Sequence, residues 1–222
     1  MDNVVISYVK CLFIKQQLLY FRELYDEPSK GCFAFYTKLS PHLIALNNCK
    51  DFIDTVGLFI KDNVDLRQLR KSLTSQLECI KYIRHRICGH IDDLLAEQAV
   101  RWTPQILMDT ETIRETEKRD YYVAELFAKS IIESALNSFQ KDFSNQTIFK
   151  SEIDIMYPPN FREFMTFIGD INEDCISFLE KLSNFLKSSV TFYKNFKDSI
   201  PAILEAGEME FGTKEAKSKR NR

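Results

Sequence analysis

The chain is poor in the residues that break helices and poor in the imidazoles that do acid–base work: 6 Gly, 6 Pro and 3 His among 222 residues, with a single Trp. So few chain-breakers, most of the prolines lying between helical patterns, exclude a strand-and-turn architecture. No uninterrupted apolar run approaches the roughly 18 residues that cross a bilayer. Lys10 and Lys15 interrupt the apolar N-terminal stretch, so it does not read as a secretory signal. A cytoplasmic protein that does not engage membrane is expected. The six cysteines (Cys11, Cys32, Cys49, Cys79, Cys88, Cys175) are scattered without any Cys-x-x-Cys. Their even number leaves disulfides open, and buried, reduced thiols are the expectation.

Most standard chemical sites are missing as well. There is no Gly-rich phosphate loop, no His-Glu-x-x-His, no paired-cysteine zinc pattern and no Gly-x-Ser-x-Gly elbow. His85 and Cys88, three apart on a helix, could both reach a metal with His90 or Cys79 nearby. Tetrahedral sites draw ligands from two elements, and no second cluster is visible, so neither metal nor cofactor is expected.

What the chain does have is bulk and helical periodicity. Hydrophobic residues make up 45% and charged residues 28%, with 18 Phe and 9 Tyr to fill a core. Val5, Tyr8, Val9, Leu12, Phe13, Leu19 and Tyr20 predict a first helix over about 4–25, ended by Pro28 and Gly31. A second covers roughly 33–62, broken near Pro41. Asp65 to Gln68 has the form of a capping box opening a third helix. Its apolar stripe is Leu66, Leu69, Leu73, Ile80, Ile83 and Ile87. Residues 101–118 read as a loop, and helix resumes over 119–143 with Phe139 and Phe143 inward. After Pro158 and Pro159, Asn160 is placed to cap a last helix. Its stripe repeats by three and four from Phe161 through Phe178 and Phe185 to Phe196, with Ser189 at one position, and is widened by Leu179, Leu186 and Tyr193. The expected fold is therefore all-α, an antiparallel helical bundle of about five long helices. It forms a single domain over 1–206, followed by a basic, disordered tail over 207–222.

The formal net charge is −2, yet residues 61–90 carry seven cations (Lys61, Arg67, Arg70, Lys71, Lys81, Arg84, Arg86) against Asp62, Asp65 and Glu78, a local +4. Such a stripe fits a phosphate-facing surface or a solvated helix face. Within it stands Arg84-His85-Arg86-Ile87-Cys88-Gly89-His90-Ile91-Asp92, an arginine and a histidine six residues apart. The spacing alone says little; the surroundings say more. A long amphipathic run precedes Arg84, and a small residue, Gly89, His90, an apolar residue and Asp92 follow.

This stretch resembles the HEPN superfamily of helical proteins, especially its abortive-infection type from bacterial defence. Those carry an Arg, a polar residue and a His late on a core helix, often followed by an apolar residue and Asp. Arg84 takes the arginine position, His85 the polar position (more often Asn or Asp) and His90 the histidine. The specific similarity covers about ten residues, with a general match to a helical bundle over the rest. A subgroup paired with nucleotidyltransferase antitoxins has Tyr two residues after the His; this chain has Asp92, so modification of a tyrosine there is not supported.

The resemblance implies a metal-independent endoribonuclease of a defence or toxin–antitoxin system, with motifs meeting across a homodimer and an antitoxin or other protein as a further partner. The chemistry needs only a proton carrier and charge neutralisation, because RNA brings its own 2′-hydroxyl nucleophile. His90 would exchange protons, Arg84 would neutralise phosphate and His85 would assist. Arg86, Lys81 and Arg70 would contact RNA. A non-catalytic helical module that binds a partner, RNA or nucleotide is the alternative. The two readings differ on whether Arg84 and His90 are reachable or buried and internally paired.

Overall fold

The computed structural model describes residues 3–22, 32–88, 91–107, 116–143 and 148–201, without the side chains of 32–35 and 116–118. It is all-α: among the described residues there is no strand. The helices are α1 (Asn3–Arg22), α2 (Cys32–Thr55), α3 (Val64–Ile87), α4 (Asp93–Trp102), α5 (Thr116–Asp142) and α6 (Pro158–Lys187), with a 3-10 turn at Pro104–Leu107. Five of them are 20 to 30 residues long, and α4 has 10.

Helix ends depart from the sequence reading for identifiable reasons. Asn63, not Asp65, caps α3, its side chain accepting from the Leu66 amide at 3.1 Å. Asp65 then sits in the first turn, where a carboxylate still favours the helix dipole. Asn160 does not cap α6; the helix opens two residues earlier on Pro158 and Pro159, which have no amide hydrogens to satisfy. Pro41 lies inside α2 rather than breaking it. A proline forfeits one backbone bond, and the buried stripe on both sides of it (Leu39, Leu43, Leu46) holds the helix together. Of the loop expected at 101–118, the described residues form the end of α4, the 3-10 turn and the start of α5, and 108–115 lie outside the described residues.

The aromatic periodicity of the last helix holds only in part. Phe164, Ile168, Ile171, Cys175, Phe178 and Leu182 are fully buried, as the three-four spacing predicts. The helix ends at Lys187, where Ser188 turns its hydroxyl back to the Phe185 carbonyl at 2.9 Å. Serine pairs and β-branched residues compete with helix, and Ser188-Ser189-Val190-Thr191 is such a run. Phe178 and Phe185, seven apart, lie along one face of the helix but are covered differently: Phe178 is core, whereas Phe185 is 43% exposed. The chain divides into two compact units, residues 1–188 and 189–222. In the second, Asn195 accepts from the Asp198 amide at the start of a short helical turn, and Phe192, Tyr193 and Phe196 are exposed.

In the first unit α1 lies along α6 and meets α2; α2 packs on α3 and α5; α3 also meets α5 and α6; and α4 rests on α5. By length and composition alone α1 could cross a membrane, because Lys10 and Lys15 are its only charges before Arg22. Here it buries Cys11, Ile14 and Leu18 and is pinned to α6 by a two-bond Arg22–Glu173 ion pair and by the Cys11 thiol on the Leu179 carbonyl. The five described cysteines are buried free thiols.

The core also holds polar groups, several of them paired, whereas Ser134 Oγ and Asn47 Oδ1 have no hydrogen-bond partner among the described residues. His42, fully buried, donates from Nε2 to the Asn172 side-chain oxygen at 2.9 Å, while the Asn172 amide donates to the Leu18 carbonyl. The Phe21 ring stacks on the imidazole. This histidine ties α1, α2 and α6 together. Lys50 is similarly buried on α2, held at 3.0 Å from both Asp54 and Glu78. Burial alone would lower its pKa, and those two hydrogen bonds outweigh that and raise it.

Candidate functional site

The C-terminal end of α3 gathers the residues that the sequence singled out. An α-helix leaves its last four carbonyls without internal partners. Here three of them are met by described groups: the Arg84 carbonyl by the Cys88 amide, the Arg86 carbonyl by the Asp92 amide and the Ile87 carbonyl by the Tyr36 hydroxyl at 2.8 Å. Cys88 is extended (φ −110°, ψ 109°), and its thiol points to the Ser40 carbonyl of α2. Asp92 caps α4 with one oxygen on the Leu94 and Leu95 amides, and its other oxygen lies 3.3 Å from the Arg86 guanidinium. A cap of this kind contributes about 1 kcal/mol. The turn between α3 and α4 is thus anchored on both sides.

Gly89 and His90 lie outside the described residues, so the imidazole given the proton-transfer role has no geometry to report. The helix itself ends at Ile87, which corrects the placing of His90 on the third helix. The 120° separation that a continuous helix would impose on residues 84 and 90 does not apply.

Arg84 follows Leu73, Leu77 and Ile80 along the buried stripe of α3, so its stem sits against the core while the residue as a whole is half-buried. Its Nε is inaccessible and has no hydrogen-bond partner among the described residues, and no carboxylate there pairs with its guanidinium. One terminal nitrogen donates to Nδ1 of exposed His85 at 3.4 Å. Arginine has no acceptor, so Nδ1 must accept, and the His85 proton belongs on Nε2. Arg86 is employed differently, paired to Asp92 and lying 4.7 Å over the Tyr82 ring. It serves the turn before it serves any ligand.

Lys81, His85 and Arg86 line one groove of about 270 Å³ with Glu78, Tyr82, Phe139 and Phe143. Burial, and then the hydrogen bond to Asp142, push the Tyr82 phenol up to about 12, so it is a donor and not a base at neutral pH. Arg70 is not part of this assembly. It precedes Arg84 by fourteen residues, about 21 Å along the helix. Its guanidinium is 3.7 Å from Asp54 and folds over Gly57, where a Cβ would stand 2.7 Å from it. That close approach is what a glycine permits, and it gives Arg70 a structural post.

The aromatic wall of the groove was not legible in sequence. Phe143 reads there as inward but is 42% exposed, and Tyr82 falls between the apolar stripe and the charged residues. The available signal was Tyr82 four residues before Arg86, the spacing at which a helical cation meets a ring.

The basic turn has a partial explanation without ligand. Cations at a helix C-terminus are favoured by the dipole, and Arg84, His85 and Arg86 occupy that last turn. The same dipole would repel phosphate, so an anion would be accepted there only where the cations reverse the local sign. The dipole does not account for a guanidinium whose Nε is sequestered without a partner, an arrangement that costs about 1–3 kcal/mol. Among the described residues no group of three or more His, Cys, Asp or Glu could hold a metal ion. Compared with family models, curated proteins and solved structures, the chain finds no match.

Proposed function

We propose that this protein is a metal-independent endoribonuclease that cleaves RNA by attack of the 2′-hydroxyl on the adjacent phosphodiester. The observation that carries this reading is Arg84: it is a guanidinium held against the core at a helix end, with no carboxylate among the described residues and an imidazole beside it. A structural arginine in such a place would be neutralised by an acid, as Arg86 is by Asp92 and Arg22 is by Glu173. Arg84 is left with donors to spend on a ligand oxygen. His90 carries the proton, Arg84 stabilises charge growing on the phosphoryl oxygens, and His85 orients Arg84. Lys81 adds positive field, and Arg86 holds the turn. Two copies act together in a homodimer, and the setting is bacterial defence or a toxin controlled by an antitoxin.

The test is expression of wild type beside His90→Ala. Wild type is expected to arrest growth and fragment cellular RNA, and the variant to do neither at equal soluble yield. Equal fragmentation, or none from wild type, removes the reading.

One observation favours the alternative of a non-catalytic interaction module. The outer side of α1 carries Val9, Phe13 and Tyr20 at 58, 63 and 79% exposure, an apolar ridge suited to a second protein or copy. In that case His90→Ala is silent, and replacing Phe13 and Tyr20 with serine abolishes assembly.

A further inference from the structure

The groove beside the basic turn has two unlike halves. Its floor is aromatic: Phe139 is core, Phe143 stacks on it at 4.8 Å and 25°, and Tyr82 meets both rings edge-on at 5.4 and 5.9 Å. One face of Phe143 is thus covered by Phe139, while the residue is still 42% exposed. The open side of that ring is a flat apolar surface facing the groove. Its backbone is held in place, the Phe143 amide donating to the Phe139 carbonyl at 2.9 Å. Tyr82 offers no such face, because Arg86 already lies over it.

The rim is basic. Lys81 has no carboxylate partner among the described residues, His85 is exposed, and Arg86 completes the edge. Glu78 is the one acid among the described lining residues, and its carboxylate is held by buried Lys50 at 3.0 Å. From His85 the hydrogen bond leads directly to Arg84. A ligand matching these halves has a planar apolar ring and, one bond system away, negative charge. At about 270 Å³ the space is just below the roughly 300–1,000 Å³ of pockets that enclose drug-sized molecules. It admits one ring system with its sugar, and neither a helix nor a duplex.

We infer that this groove is a nucleobase subsite, in which one unstacked base of a single-stranded RNA lies on Phe143 while its phosphate is met by Lys81 and His85 on the way to Arg84. The inference rests on the proposed function for the identity of the polymer and for nothing else. It assigns the enzyme single-stranded substrate, because a base within a duplex cannot leave its stack for the ring without paying to unpair.

The experiment uses a 2′-O-methyl oligoribonucleotide of about eight residues, which cannot be cleaved, carrying one 2-aminopurine. Wild type is expected to bind it with loss of 2-aminopurine fluorescence and to bind the matching duplex far less. Phe143→Ala should weaken binding about tenfold and restore the fluorescence, as removal of a stacking ring does. Phe143→Trp should keep both signals. Phe143→Leu preserves apolar bulk, guards against a folding defect and should behave like the alanine variant. Wild-type affinity in Phe143→Ala or Phe143→Leu, equal affinity for duplex, or no binding by wild type would each overturn the subsite. If wild type binds this probe yet leaves ordinary RNA intact, the subsite stands and the nuclease reading falls. If it cleaves RNA with the same KM in Phe143→Ala, the nuclease reading stands and the subsite falls.

Discussion

Replacing Arg84 with lysine is expected to lower RNA cleavage at least a hundredfold while leaving the fold intact. Lysine keeps the charge and most of the stem but loses the planar fork of donors that can hold two phosphoryl oxygens at once. Removing one preorganised donor from a developing oxyanion typically costs two to three orders of magnitude in rate. The structural side of the expectation is unusual for an arginine on a core stripe. Because the Arg84 Nε has no partner to lose and its unmet burial is itself a cost, the substitution should not lower stability. Turnover against RNA and a urea midpoint, measured on the same preparation, check both halves. Undiminished cleavage by Arg84→Lys would remove the bidentate role.

A second large effect concerns the buried imidazole of His42. Burial drives the His42 pKa down from 6.5 to about 4, with the Asn172 hydrogen bond opposing the shift. The unfolded chain therefore takes up this proton first as pH falls. Stability should be unaffected above about pH 6.5, decline between there and about pH 4, and then level off. At about 1.36 kcal/mol per unit, the shift corresponds to about 3 kcal/mol from one residue. Glu133 works in the opposite direction, since burial raises its carboxyl pKa and acid favours its folded form. Urea midpoints across this range should show the decline in wild type and a flatter profile in His42→Gln, which keeps an amide donor for Asn172. The same decline in both proteins would assign it elsewhere.

The helices, their ends and the basic turn differ in how far they could be read in the sequence. Periodicity revealed the helices because burying one face against the core is what stabilises a helix that is marginal in isolation: Leu73, Ile80 and Ile83 of α3 and Phe164, Ile171 and Phe178 of α6 are all buried as spaced. Helix ends were less legible. Asn63 and Asp65 are nearly equal caps, and only the tertiary contacts of the chain choose between them. The stripe past Leu186 continues in sequence after the helix has stopped, because hydrophobic spacing does not register the helix-weakening serines at 188 and 189. The basic turn was visible as composition, but its division of labour was not. Arg84, Arg86 and Arg70 are alike in sequence. Only the fold gives Asp92 to Arg86 and Asp54 to Arg70, and no described acid to Arg84.

The claim on which the account turns is that a histidine and an arginine, without metal, cut RNA through its own 2′-hydroxyl. Purified wild type and His90→Ala, each incubated with a single-stranded RNA in excess chelator, test it most directly, with the ends of the products identified. Cleavage is expected from wild type alone, giving 2′,3′-cyclic phosphate on one fragment and 5′-hydroxyl on the other. Cleavage that stops on chelation, products bearing 5′-phosphate, or equal cleavage by His90→Ala would contradict it.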